Sequence, residues 1–82
     1  MIDKYKKPGQ PRICPLLEEG QEFISTNLNM PEHFCSWAWA DIEKYALVLA
    51  LGGNFDSMAR DGVVLACCTD AFRPVVFELE RI

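Results

Sequence analysis

The sequence has no apolar run able to cross a bilayer. Its longest, Tyr45 to Leu51, falls far short of the roughly 20 residues that a spanning helix needs. Positive charge is also scarce. Eight Lys and Arg stand against twelve Asp and Glu, a net charge of −4. The basic excess that neutralises a phosphate backbone is missing, so nucleic acid is a disfavoured partner. There is a single histidine, no Gly-Lys-Ser/Thr loop and no Cys-x-x-Cys pair. These absences remove the phosphate-cradling loop, the serine–histidine arrangements and the usual zinc-knuckle and thioredoxin-like signatures. Gly52-Gly53-Asn54 follows a helical pattern instead of opening one, so it is no phosphate loop either. With no legible base, nucleophile or cofactor loop, an enzyme with its own organic substrate is the least expected class.

What remains is 82 residues, half of them hydrophobic and 24% charged. That composition is foldable, and the length allows one small core. Residues 1–12 read as a polar, flexible leader, and residues 13–82 as a single α+β domain. In the leader Pro8, Gly9 and Pro11 stand where a secretory signal would carry its apolar stretch. The expected compartment is therefore the cytoplasm, where thiols stay reduced.

Ile13 to Ser25 is interrupted by Pro15 and Gly20 and reads as two short extended pieces joined by a turn at Glu18–Gly20. Asn29 stands three residues before Glu32, with Pro31 between them, which is the spacing of a capped helix start. Ser36 is a competing cap, and from it the helix would begin at Trp37. Glu32 to Leu51 is the clearest element. Cys35, Ala38, Trp39, Ile42, Tyr45, Ala46 and Leu49 share one arc at helical spacing, while Asp41, Glu43 and Lys44 lie off it and belong to water. In the last two turns Leu47, Val48 and Leu51 fall on the opposite side. A helix apolar nearly all round needs cover on both sides. Leu47, Val48 and Leu51 are accordingly the expected interface, with Trp37 as a further anchor. Its partner would be a second copy or another protein.

Gly52-Gly53 ends the helix. Val63 to Thr69 reads as a strand apolar on both faces. Val75 to Glu80 alternates, with Val75, Phe77 and Leu79 inward and Glu78 and Glu80 outward. The reversal between them makes a hairpin. The expected fold is α+β: a small antiparallel sheet with a C-terminal β-hairpin packed against one long helix.

Cys14, Cys35, Cys67 and Cys68 carry the remaining chemistry. Three readings stand side by side: core thiols, redox thiols, or ligands of zinc or an iron–sulfur cluster. Cys67 and Cys68 point to opposite faces of a regular strand, so both reach one metal only through a bulge. The cysteines fall at the start of an extended segment, at a helix start and at a strand end. Those three places can converge at one end of the sheet, where a helix N-terminus favours thiolate. His33 is a candidate nitrogen ligand or base, or else an exposed first-turn histidine. Asn54, Asp56, Asp61 and Asp70 lack Ca²⁺-loop spacing and read as turn residues.

Cys14, Gly20-Gln21-Glu22-Phe23, Cys35-Ser36-Trp37-Ala38-Trp39, Gly52-Gly53-Asn54-Phe55, Cys67-Cys68-Thr69-Asp70 and Arg73-Pro74-Val75-Val76-Phe77-Glu78-Leu79-Glu80-Arg81-Ile82 form a pattern. By it the chain resembles a family of small bacterial and archaeal proteins with no established activity. The resemblance runs from Cys14 to the end. It implies that Cys14, Cys35 and one of Cys67 and Cys68 are pattern positions. Ser36 stands where that family usually has proline. The segment after Cys14 departs from the family's Gly-His form, so no histidine ligand carries over. The expected function is a small accessory or interaction domain with structural or metal-linked cysteines. The alternative is a thiol- or metal-based redox protein.

Overall fold

Helix α1 (Ser36–Ala50), strand β1 (Val63–Cys67) and strand β2 (Val76–Glu80) follow one another along the chain. The structure is a computed structural model that describes residues 4–82. The first three residues of the expected leader lie outside the described residues. β1 and β2 pair antiparallel, from Val63 opposite Glu80 to Cys67 opposite Val76, and α1 packs against the hairpin. The fold is thus the small α+β arrangement expected from the two hydrophobic periods. Among the described residues, no helix is long and apolar enough to cross a membrane.

α1 starts four residues later than Glu32, and the reason is local. His33 takes a left-handed conformation, φ 62°, and the Phe34 N–H closes an isolated turn onto the Pro31 carbonyl at 3.3 Å. A helix cannot run through that conformation. Cys35 is the extended N-cap and Ser36 is already helical; no side chain caps the end. Asn29 does not form the expected capping box. Its N–H bonds the Thr26 carbonyl at 3.1 Å, in a turn where Asn27 and Leu28 have positive φ. The far end matches expectation. Gly52 is left-handed at φ 87°, and the Gly52 and Gly53 N–H groups bond the Leu49 and Val48 carbonyls at 3.0 and 2.8 Å. These are the two bonds of a Schellman ending.

Ala38, Ile42 and Leu49 of α1 are buried, as are Val64 and Ala66 of β1 and Leu17 of the loop segment. The Phe34 ring extends this core. It meets Phe23 edge-on at 4.9 Å between centroids, Phe77 at 5.4 Å and Trp39 edge-on at 6.2 Å. One aromatic thus joins the loop segment, the helix and β2. From Val75, the residue before β2, onward, Val75, Phe77 and Leu79 are half-buried and alternate with exposed Val76, Glu78 and Glu80, as expected. β1 departs from expectation: Val64 and Ala66 are buried, but Leu65 is 57% exposed and Cys67 is exposed too. One face of the two-stranded sheet packs against α1; on the other, Val63 is buried and Arg60 pairs with Glu78 and Glu80 at 3.6 and 3.1 Å, while Leu65, Cys67 and Val76 stay exposed. Ile13 to Ser25 forms no strand. Its turn is real: Gly20 has φ 83°, and the Gln21 N–H bonds the Glu18 carbonyl at 3.2 Å. Pro15 has no N–H to donate and Gly20 turns the chain, and residues 21–25 pair with no strand among the described residues.

Candidate functional site

Two features are candidates, and each follows from how α1 sits on the hairpin. The first is a cleft at the N-terminal end of the helix. Three chain segments meet there: the loop carrying Cys14, the N-cap Cys35, and Cys68 one residue beyond β1. All three thiols are free, half-buried, and line one cleft of about 230 Å³. Leu17, Trp37, Ala38 and Val75 give it apolar walls, with Asp70 and Arg73 as its charged residues. Cys68 continues the pairing, its N–H bonded to the Val75 carbonyl at 3.0 Å. Its Sγ accepts the Val75 N–H at 3.3 Å and donates to the Arg73 carbonyl at 3.9 Å.

Cys67 does not join them. It is exposed on the opposite face of the hairpin, as the alternation of a regular strand requires. His33 is exposed and is not part of the cleft lining. Among the described residues, no group of three or more His, Cys, Asp or Glu side chains is arranged to hold a metal ion. The fold gathers three thiols without setting them as a finished ligand cage.

Asp70 fixes the rim of the cleft. Its Oδ1 accepts the Phe72 and Arg73 N–H groups at 3.0 and 3.3 Å, and its Oδ2 accepts Arg73 Nε at 3.0 Å. Loss of hydration pushes the Asp70 carboxyl up. The bonds from Phe72 and Arg73 and the Arg73 charge outweigh that and hold it below its ordinary value of 3.8. The turn reading of Asp70 holds, with the addition that Arg73 is captured by it.

The second feature is the outer face of α1. Trp37, Leu47, Val48 and Leu51 are 53, 43, 38 and 79% exposed. With Ala40 and Lys44 they make a stripe of three- and four-residue steps along the whole helix, opposite the buried Ala38, Ile42 and Leu49. Trp37 is also tied inward. Its Nε1 donates to Thr69 Oγ1 at 2.7 Å, and the Thr69 hydroxyl and N–H both donate to Asp41, the N–H at 2.7 Å. Asp41 was expected in water; it anchors the start of the hairpin reversal instead. The only sequence sign of this is that Trp37 and Asp41 are one turn apart on the helix.

The surface is large for the mass. The chain exposes 6535 Å², roughly 1,500 Å² more than a compact monomer of 9.3 kDa. Set against known proteins, the chain matches no family model, no curated protein and no solved structure.

Proposed function

We propose that this protein is a small, non-enzymatic interaction module that associates with a second copy of itself through the outer face of α1. Trp37, Leu47, Val48 and Leu51 form the contact, and Lys44 lies along it. The observation that carries this reading is the row of exposed apolar side chains at the two ends of α1, Trp37 at one and Leu47, Val48 and Leu51 at the other, which the other described residues leave uncovered. A standard interface buries about 800 Å² per partner, so the contact extends beyond these four side chains. The reading is tested by light scattering at micromolar concentration. The expected mass exceeds 9.3 kDa. Val48→Glu lowers it, whereas Leu65→Glu on the hairpin's outer face leaves it unchanged. A monomer that comes out of a lysate on a different protein would instead make the stripe a docking face for that protein.

The convergence of Cys14, Cys35 and Cys68 supports a second reading, a thiol- or metal-based redox protein holding zinc or an iron–sulfur cluster. Anaerobic purification with metal analysis and a visible spectrum separates it from the first. A cytoplasmic location, where thiols stay reduced, would suit either reading.

A further inference from the structure

We propose that the cleft at the N-terminal end of α1 is a thiol–disulfide exchange site for a small carboxylate-bearing disulfide. In it Cys68 attacks, Cys14 closes an internal disulfide, and Arg73 holds the carboxylate. The proposal rests on the thiol reading of the cleft and names its substrate class. It needs neither a metal nor self-association.

The roles follow from how each thiol is held. Cys14, Cys35 and Cys68 are free and line one cleft, whereas Cys67 is exposed on the other face of the hairpin. Attack requires the thiolate, and a sulfur that already accepts an N–H is best prepared to carry the charge. Cys68 Sγ accepts the Val75 N–H at 3.3 Å, and among the described residues no other cysteine sulfur is hydrogen-bonded. A disulfide needs its Cα atoms about 4.4–6.8 Å apart. Cys68 is fixed by its pairing with Val75 and Cys35 by its place as the N-cap of α1, so neither travels toward the other. Cys14 lies in a segment without regular structure and can move onto Cys68 at little cost in broken pairing.

The substrate class follows from Arg73. Its side chain lines the cleft and is 18% exposed. Nε donates to Asp70 Oδ2 at 3.0 Å, while the Phe72 and Arg73 N–H groups take up the other carboxylate oxygen. This clasp leaves Nη1 and Nη2 without a partner among the described residues, as donors in the rigid fork that matches a carboxylate. Asp70 is thus a positioning residue, because it holds the fork. Leu17, Trp37, Ala38 and Val75 give apolar walls for the carbon chain. At about 230 Å³ the cleft is smaller than a drug-sized pocket, so it takes a disulfide of amino-acid size.

The exchange runs in two balanced steps. The Cys68 thiolate attacks one sulfur of the substrate, whose S–S bond breaks as a mixed disulfide forms. The small thiolate that leaves takes up the proton that Cys68 gave up. The Cys14 thiolate then attacks Cys68 Sγ, and the second small thiol leaves with the proton from Cys14. Two cysteine thiols are oxidised to a disulfide, and one small disulfide is reduced to two thiols.

The test uses the full reduced chain without oxygen and two disulfides of nearly equal size, dithiodipropionate and the neutral bis(hydroxyethyl) disulfide. Products are trapped over time and read cysteine by cysteine by mass spectrometry, with exposed Cys67 as the control for intrinsic reactivity. The expected product is a Cys14–Cys68 disulfide. Its rate relative to Cys67 modification should be more than about 10-fold higher with dithiodipropionate than with the neutral disulfide, the worth of one charge-assisted bond. Arg73→Gln removes that preference. In Cys14→Ser the mixed disulfide accumulates at Cys68, and Cys35→Ser leaves both steps unchanged. Because the two disulfides are compared on the native chain, a variant that fails to fold does not obscure the answer. Equal relative rates for the two, or an internal disulfide that includes Cys35 or Cys67, overturns the proposal and leaves the thiol reading standing. If neither disulfide oxidises the cleft thiols, both fall.

Discussion

Arg81 and Asn54 lock the two ends of the fold together. Arg81 Nη2 donates to Asn54 Oδ1 at 3.0 Å, and the same oxygen accepts the Gly62 N–H at 2.8 Å. Arg81 Nη1 meanwhile donates to the Leu49 and Gly53 carbonyls at 3.0 and 2.8 Å, and its N–H bonds the Gly62 carbonyl at 2.8 Å. The guanidinium thus caps the C-terminal end of α1 from the far end of the chain, where a cation meets the negative end of the helix dipole.

That arrangement makes Arg81→Ala costly even though the residue is exposed. Hydrogen bonds from a charged donor are worth about 1.5–3 kcal/mol, and we expect a loss of about 2 kcal/mol in urea unfolding. Asn54→Ala strands the N–H of the buried Gly62 and should cost about 1–3 kcal/mol. The two losses should fall short of additive by about 0.5 kcal/mol or more in a double-mutant cycle. Full additivity would mean the two side chains act separately.

Gly53 is required for a steric reason, not for a left-handed backbone. A Cβ there would lie 2.7 Å from Val48 Cγ1 and 3.0 Å from the Val48 carbonyl oxygen. Gly53→Ala is expected to destabilise by about 1–3 kcal/mol, in the range of overpacked sites. Adding Val48→Ala removes the closer of the two clashes and should restore part of the loss, as measured by thermal unfolding. At Gly52 the space is open, and the φ of 87° alone opposes alanine, at a cost of about 1 kcal/mol.

Asp70 makes the fold sensitive to acid in a defined window. Its folded pKa lies below its ordinary value of 3.8, so the unfolded chain binds the proton more readily. The contribution is fully present above the unfolded value and is lost as pH falls through the lower folded one. Stability to urea should therefore drop more steeply below about pH 4 in the native protein than in Asp70→Asn. Equal slopes in the two would show that the Asp70–Arg73 clasp contributes nothing on folding.

The core is small enough for single truncations to matter. Ile42 is 4% exposed in the middle of the buried face of α1. Ile42→Ala should cost about 2–5 kcal/mol, a large share of the stability available to a domain of this length. A loss under about 1 kcal/mol would place the helix's core face elsewhere.

Much of this fold is written in local patterns. The arc from Ala38 through Ile42 to Leu49, the Gly52-Gly53 stop and the alternation of Val75, Phe77 and Leu79 each need only neighbours in sequence, and each appears where expected. The helix start does not. His33 turns left-handed where Phe34 sits among Phe23, Trp39 and Phe77, a cluster drawn from three distant segments. The run Val63 to Cys68 hides its own outer face, because apolar residues at every position carry no alternation to read. Asp41 and Arg81 bond partners 28 or more residues away, beyond any spacing rule. Of the four candidate cysteines, Cys14, Cys35 and Cys68 line one cleft and Cys67 is exposed, and among the described residues no three such side chains are set to hold a metal ion. The separation of Cys67 from Cys68 followed from strand geometry alone.

The exposed stripe on α1 stands or falls most directly on the solution mass of the protein. Sedimentation velocity across the micromolar range should show a concentration-dependent species at twice 9.3 kDa. It should be lost in Val48→Glu while the helical signal is kept. A single 9.3 kDa species at every concentration, identical in the variant, would contradict the account.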